Sequence, residues 1–249
     1  MLREIDLSVK DFSNFIRCLS LLVDLCTDVD IRGGALRQRS NDKNEIFEMD
    51  LRPLILDCDI PIEYLKLQLP VLKGLLNQRV KITITITDDH MYFSGLSTFS
   101  FKKPPLQYLD NKFMTSKELG FLLKEDNLIL DHIIKRSISQ MMKHTVEQFN
   151  IVSFRIVFED GIASITATSS AKKHFCEIES GIPLKKPLKG FTDVVTEPFL
   201  IDRDGNIIFK LYSIGEDRLI GKATVFVGKV AVDVYCRCQL VIGEEEGEY

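Results

Sequence analysis

Cys236 and Cys238 stand two residues apart in an alternating run, so on a strand their thiols share one face. Two thiols fill half of a tetrahedral zinc site, and no second cysteine or histidine pair follows them. His90, His132, His144 and His174 form no ligand-spaced cluster, and Cys18, Cys26, Cys58 and Cys176 are scattered through apolar segments that suit reduced core thiols. The stretches DVDIRG, from Asp28, and DRDGN, from Asp202, look a little like calcium loops. The first has Arg32 at the third ligand position, the second has Gly205 too early, and neither has the later glutamate. There is no glycine-rich phosphate loop and no nucleophile elbow. The sequence predicts a protein that is not an enzyme, with no catalytic residue, no metal and no cofactor.

What remains is charge. The net charge of −4 gives no bulk bias toward phosphate, yet the spacing predicts four helices whose outward faces carry lysine or arginine. These are Lys10 and Arg17 on a helix over 9–23, Lys66 and Lys73 on one over 61–77, Lys135, Arg136 and Lys143 on one over 125–147, and Arg203 and Lys210 on a short one over 203–213. Glutamates gather elsewhere, notably at 244, 245, 246 and 248. Segregation of this kind is the footprint of a polyanion held against one surface. Few aromatic residues accompany the cations, so contact with duplex phosphates is favoured over stacking on single-stranded bases.

The elements that must position these cations fall into two similar halves. Pro104 and Pro105 fix their own φ, remove two backbone donors and mark 102–117 as an extended connection. On each side the order is a basic-faced helix, alternating strands, a second short helix and a closing hairpin. In the first half the strands are expected at 25–31, 35–39, 45–51, 80–87 and 91–101. In the second they are expected at 151–158, 162–168, 172–179, 194–201, 219–227 and 230–242, with Asp160-Gly161 as the strongest hairpin signal. The fold class is α+β, two similar domains each with two helices on antiparallel sheets: 1–101, the connection 102–117, and 118–249. No apolar run approaches the roughly 20 residues that a membrane-spanning helix needs. The first residues lack the apolar core of a signal peptide, so a cytoplasmic protein is expected, or a nuclear one in a eukaryote.

This order and spacing, from the helix at 9–23 through DVDIRGGALRQRSNDKNEIFEMDLRPLI, the helix at 61–77, the hairpin and the connection, and then again, resembles the DNA sliding clamps over essentially the whole chain. The likeness is to the two-domain type, proliferating cell nuclear antigen and the bacteriophage polymerase processivity clamps. The chain departs from the pattern in Pro70, within its second helix, and in a long loop at 180–193. The resemblance implies three subunits closing a six-domain ring around double-stranded DNA, with the basic helices inside, and a DNA polymerase and a clamp loader as partners. A basic wall that faces phosphates without reading bases would let the ring slide, and tethering would raise the polymerase's effective concentration at the primer end.

Two further surfaces follow. Strands 91–101 and 172–179 each leave an unpaired ladder edge, and in the family these positions join subunits. Tyr92, Phe93, Phe99, Phe101, Phe175, Cys176 and Ile178 are the interface residues expected here. Leu106, Tyr108, Leu109 and Phe113 are large apolar side chains in a connection that ought to be polar. With Val241 and Ile242 they match where the family docks short client peptides. Two other readings stay open: a clamp-like monomer or dimer gripping DNA from one side, and a subunit of a hetero-oligomeric checkpoint-type clamp.

Overall fold

The computed structural model describes residues 3–9, 12–20, 28–32, 35–39, 45–50, 82–102, 116–149, 151–169, 175–195 and 205–242, with 53, 55–56, 65–68, 74 and 77–78. The chain divides into two units, Met1–Phe113 with Val227–Val232, and Met114–Phe226 with Asp233–Tyr249.

In the first unit the elements are β1 (Arg3–Val9), α1 (Phe12–Ser20), β2 (Asp28–Arg32), β3 (Ala35–Arg39), β4 (Glu45–Asp50), β5 (Ile55–Leu56), β6 (Leu65–Gln68), β7 (Ile82–Ile86), β8 (His90–Ser94) and β9 (Thr98–Lys102). One sheet has the order β5-β1-β7-β8-β9, and β6, β2, β3 and β4 run as consecutive neighbours in another. The faultless alternation of Ile82, Ile84 and Ile86 with threonines makes β7 a central strand, paired to β1 from Arg3↔Ile86 to Leu7↔Ile82 and to β8 on its other side. The β2-β3-β4 meander joins through Ile31↔Leu36 and Leu36↔Met49, and β4 buries Phe47 and Met49 on alternate positions.

Three expectations change in this unit. Val9 ends β1, so the helix expected over 9–23 is the shorter α1, and it buries Cys18 completely. The helix expected over 61–77 gives way at 65–68 to β6, which pairs with β2 through Asp30↔Lys66 and Val29↔Leu67; Gly74 and Asn77 are helical, and Pro70 lies outside the described residues. LKLQ alternates apolar with polar, and the ladder to β2 satisfies its backbone groups. The single strand expected over 91–101 is the β8–β9 hairpin, turned where the Gly95 N–H donates to the Ser97 carbonyl at 2.9 Å.

The second unit contains α2 (Ser116–Leu122), a single 3-10 turn (Glu125–Asn127), β10 (Leu128–Ile134), α3 (Arg136–Phe149), β11 (Ile151–Glu159), β12 (Ile162–Ser169), β13 (Phe175–Pro183), β14 (Gly190–Val195), β15 (Ile207–Ser213), β16 (Arg218–Val227) and β17 (Val230–Gln239). One sheet has the order β13-β12-β11-β14, and β10, β15, β16 and β17 are consecutive neighbours in another. Asp160 (φ 49°) and Gly161 (φ 80°) both take positive φ at the β11–β12 turn, as a two-residue hairpin of this hand requires. Period-two burial then sends Phe154, Ile156 and Phe158 of β11 and Ala163, Ile165 and Ala167 of β12 into the core. α3 packs on this sheet through Ser139, Met142 and Thr145.

Two helices expected from the sequence are strands here. Residues 128–134, read as the front of a helix over 125–147, form β10, and residues 207–213, read as a short helix, form β15; the two pair from Leu128↔Tyr212 to Ile134↔Ile207. Leu130 and Ile134 fit a helical spacing as well as a strand. LILDHII and IIFKLYS are short, rich in isoleucine and apolar on most sides, a composition in which periodicity does not separate the two states. Pairing decides between them, because β15 gains ladders on both sides and buries Ile207, Phe209 and Leu211. β13 and β14 also differ in extent, ending at Pro183 and beginning at Gly190, so the loop between them is 184–189.

Gly190 fixes where Val241 lies. Its φ is +118°, and a Cβ there would overlap the Val241 carbonyl oxygen. Val241 exchanges two hydrogen bonds with Phe191, at 3.0 and 2.8 Å, and Thr192 Oγ1 donates to the Gln239 carbonyl at 2.8 Å. Gly190→Ala should therefore cost about 2–3 kcal/mol, from backbone strain plus loss of this docking. Gly205→Ala, with open space around it, should change stability by less than about 1 kcal/mol. Equal denaturation midpoints for the two variants would contradict this.

Candidate functional site

The nine cations expected to meet a polyanion do not share one structural setting. Lys135 and Arg136 are exposed at the start of α3. The backbone N–H of Arg136 donates to Asn206 Oδ1 at 3.1 Å, so a side chain just before β15 caps the helix and fixes where it begins. Lys143, half-buried two turns on, lies 3.5 Å from Glu147 Oε1 at the i,i+4 spacing. His144 stands 3.9 Å from the same carboxylate. The face expected to be free of acids therefore carries Glu147. On α3, Ser139 is fully buried and Met141 is exposed.

Lys210 belongs to β15 rather than to a helix, and its Nζ lies 3.1 Å from Asp131 Oδ2 across the β10 ladder, both side chains 32% exposed. The next strand continues the row, with Lys210 opposite Lys222 and Lys222 Nζ 2.9 Å from Asp233 Oδ2. This charged row on the sheet is largely self-neutralised, and a partly solvated pair of this kind contributes little to stability. Arg17 is half-buried on α1, and Lys66 is on β6. Lys10, Lys73 and Arg203 lie outside the described residues. The exposed cations that the structure gathers on one element are therefore those at the start of α3.

The expected assembly strands are edges. β9 ends the five-stranded sheet, and β13 ends the four-stranded one. On β9, Phe99 is 40% exposed. Tyr92 and Phe93 sit on β8, which is paired on both sides, and Phe93 is buried, so these two are interior to the sheet rather than at its edge. On β13, Cys176 is exposed and Ile178 is buried beneath the strand. The ladder to β12 shifts register around Ile178, with Ile165↔Glu179 followed by Thr166↔Glu177. Phe101 is the penultimate residue of β9, and Phe175 opens β13. His132 Nε2 on β10 stands 3.0 Å from Glu179 Oε2 and ties this edge back to the other sheet of its unit.

Of the expected peptide site, Leu106, Tyr108, Leu109 and Phe113 lie outside the described residues. Val241 and Ile242 are 42% and 73% exposed, presented beside β14 by the Phe191 bridge. The surface next to them was not anticipated from the sequence. Arg155 stacks its guanidinium 4.0 Å from the Phe191 ring centroid and grips Asp193 with two hydrogen bonds, at 3.0 and 3.3 Å. The spacing of Arg155 on β11 and Asp193 on β14 is long-range, so only the β11–β14 ladder, in which they are direct partners, reveals it.

Among titratable groups, burial pushes the Tyr212 hydroxyl above its ordinary range, and the nearby Asp131, Glu125 and Asp233 carboxylates push it the same way. A tyrosine kept neutral at physiological pH matches a packing role. Among the described residues, no group of three or more His, Cys, Asp or Glu side chains could hold a metal ion.

No protein-family model and no curated protein matches the chain. Solved structures do. Proliferating cellular nuclear antigen from Entamoeba histolytica superposes with a TM-score of 0.57 at 13% identity, covering 94% of this chain and 98% of that one. PCNA from A. fulgidus, solved with the C-terminal region of FEN-1 bound, gives 0.62 at 8% identity, covering 96% and 100%. The PCNA2–PCNA3 complex from Sulfolobus tokodaii gives 0.53 at 10% identity, covering 95% and 99%. At such identities the likeness is one of fold, and it runs the full length of both chains.

The Asn206 contact carries a test of how the basic end of α3 is held. Asn206→Ala should destabilise the protein by about 1 kcal/mol and, by loosening the helix start, raise amide exchange at Ser137 to Gln140. Unchanged exchange there would show that the cap is dispensable.

Proposed function

We propose that this chain, which has the fold of the DNA sliding clamps, works as one: a non-enzymatic ring subunit that encircles duplex DNA and tethers a DNA polymerase and other replication proteins to it. The observation that carries this reading is the full-length likeness to clamp structures combined with two open sheet edges, β9 in one unit and β13 in the other. Pairing β9 of one copy with β13 of the next would satisfy both of these edges through a heterologous contact, which closes into a ring when the rotation between copies closes. Three copies are the count we propose. Light scattering at micromolar concentration should give three chain masses, and Phe99→Asp should reduce it to one. A wild-type mass of one chain would refute the homotrimer.

Within the ring, Lys135 and Arg136 are the cations we assign to the phosphates, with Lys143, Arg17, Lys66, Lys10, Lys73 and Arg203 as the wider set; Lys210, held by Asp131, is a weaker member. Lys135→Glu with Arg136→Glu should weaken DNA association about tenfold at low salt and reduce the salt slope by about two. Unchanged polymerase stimulation by a folded, trimeric variant would overturn the assignment.

For clients, the A. fulgidus clamp is solved with the C-terminal region of another replication protein bound to it. Here Val241 and Ile242 are exposed apolar side chains in the position we assign to such a peptide, together with Leu106, Tyr108, Leu109 and Phe113. Leu109→Ser with Ile242→Ser should lower affinity for a polymerase-derived terminal peptide by about tenfold or more while leaving the mass unchanged. A clamp-loading partner follows from ring closure, since a closed ring needs opening to admit DNA. A hetero-oligomeric assembly is the second reading, favoured by the Sulfolobus tokodaii complex of two different clamp chains. The mass of the purified chain alone separates it from the homotrimer.

A further inference from the structure

The loop between β13 and β14 has no part in the function proposed above, yet it is the most strongly cationic short stretch among the described residues. Within 184–189 it presents Lys185, Lys186 and Lys189, all exposed. Lys124, whose ammonium sits 3.9 Å from the Phe121 ring centroid, precedes the 3-10 turn that the loop touches. The loop is held in place. Leu184 N–H donates to the Gly161 carbonyl at 2.9 Å, Lys185 N–H donates to the Ile129 carbonyl at 2.7 Å, and Gly190 is packed under Val241. The carboxylates within the cluster are Glu125, 2.7 Å from Lys185 in a pair 75% and 46% exposed, and Asp126, whose main-chain carbonyl accepts from Lys186. Glu125 is the carboxylate paired within the cluster, and an exposed pair such as Lys185–Glu125 exchanges partners at little cost.

The anion that fits this surface is encoded a few residues away. The Phe191–Val241 bridge brings the chain to Ile242 directly beside Gly190, the neighbour of Lys189. The residues that follow are GEEEGEY, with glutamates at 244, 245, 246 and 248. An extended chain covers about 3.3–3.6 Å per residue, so Glu246, four positions past Ile242, reaches roughly 14 Å. Lys186, four positions before Gly190, lies within the same span. Sign, spacing and reach agree. We propose that the lysine loop 184–189 is the docking surface for the chain's own acidic segment, Glu244 to Glu248, held by ionic contacts to Lys185, Lys186 and Lys189.

Zero-length carbodiimide coupling joins a carboxylate to an amine only where the two are already in contact, so it reads the docking in the unmodified protein without DNA or a client. An equal mixture of isotope-labelled and unlabelled chains is coupled at about 0.01 M and at about 1 M salt, where the screening length falls from ~30 Å to ~3 Å, and the linked peptides are identified by mass. We expect links from Glu244, Glu245, Glu246 or Glu248 to Lys185, Lys186 or Lys189 within one chain, about tenfold fewer at the higher salt. Lys186→Glu with Lys189→Glu should lose them, and combining these with Glu245→Lys and Glu246→Lys should restore links of reversed sense between the same positions. Links spread evenly over the surface lysines, or their absence at low salt, would overturn the proposal. Links joining labelled to unlabelled chains would overturn it as well, since the segment would then dock on another copy.

Discussion

The ladder between β10 and β15 is the interaction on which the second unit depends. Neither strand declares itself alone, but once paired, the N–H and C=O groups that each turns toward the other find partners, and a buried backbone group left without a partner is costly. The pairing fixes register from Leu128↔Tyr212 to Ile134↔Ile207, and register decides the rest. Leu130 and Ile134 turn inward, Asp131 meets Lys210, and the chain leaves the sheet at Lys135 with α3 still to come. Because β15 begins at Ile207, Asn206 reaches the first N–H of α3. The same ladder therefore sets both where α3 starts and which lysine is paired with Asp131.

Backbone satisfaction also decides where the units are open. β14 is the second edge of the four-stranded sheet, and Val241 covers part of it with two hydrogen bonds, an arrangement that requires Gly190 to lack a side chain. β13, at the opposite edge, is bulged near Ile178 and anchored by the His132–Glu179 pair. Bulging and inward anchoring are ways in which sheet edges are made selective rather than generally adhesive. An edge of this shape fits a partner strand of matching register better than an arbitrary extended peptide. The unbulged β8–β9 ladder, running from His90↔Lys102 to Ser94↔Thr98, leaves β9 as a regular counterpart.

Electrostatics refines this picture without building it. Ion pairs on the β10–β15–β16–β17 face, Asp131–Lys210 and Lys222–Asp233, join residues of opposite sign that the ladders had already placed side by side. Exposed as they are, they contribute register preference more than stability. Among the described residues, exposed cations stand close together at the start of α3 and in the loop 184–189. In a chain whose net charge is −4, such local groupings attract an anion more than the chain as a whole does.

Much of the fold was legible from period and punctuation. The bounds of β3, the β11–β12 hairpin at Asp160-Gly161, the run of β7 and the β16–β17 hairpin follow from two-residue alternation and turn residues, signals that depend only on near neighbours. The division into two units rests on the same local evidence. What the sequence did not settle were the short, uniformly apolar stretches, LKLQ, LILDHII and IIFKLYS, where helix and strand bury the same side chains. Partners far along the chain decided those: β2 for the first, and the second and third for each other. The charge reading changed at Lys210 for the same reason: Asp131 becomes its neighbour only through strand register. Glu147, four residues after Lys143, lay within reach of local pattern. Composition and local pattern determined which elements the chain could form, while long-range pairing of backbone groups determined which of them it formed and which charges were left to act.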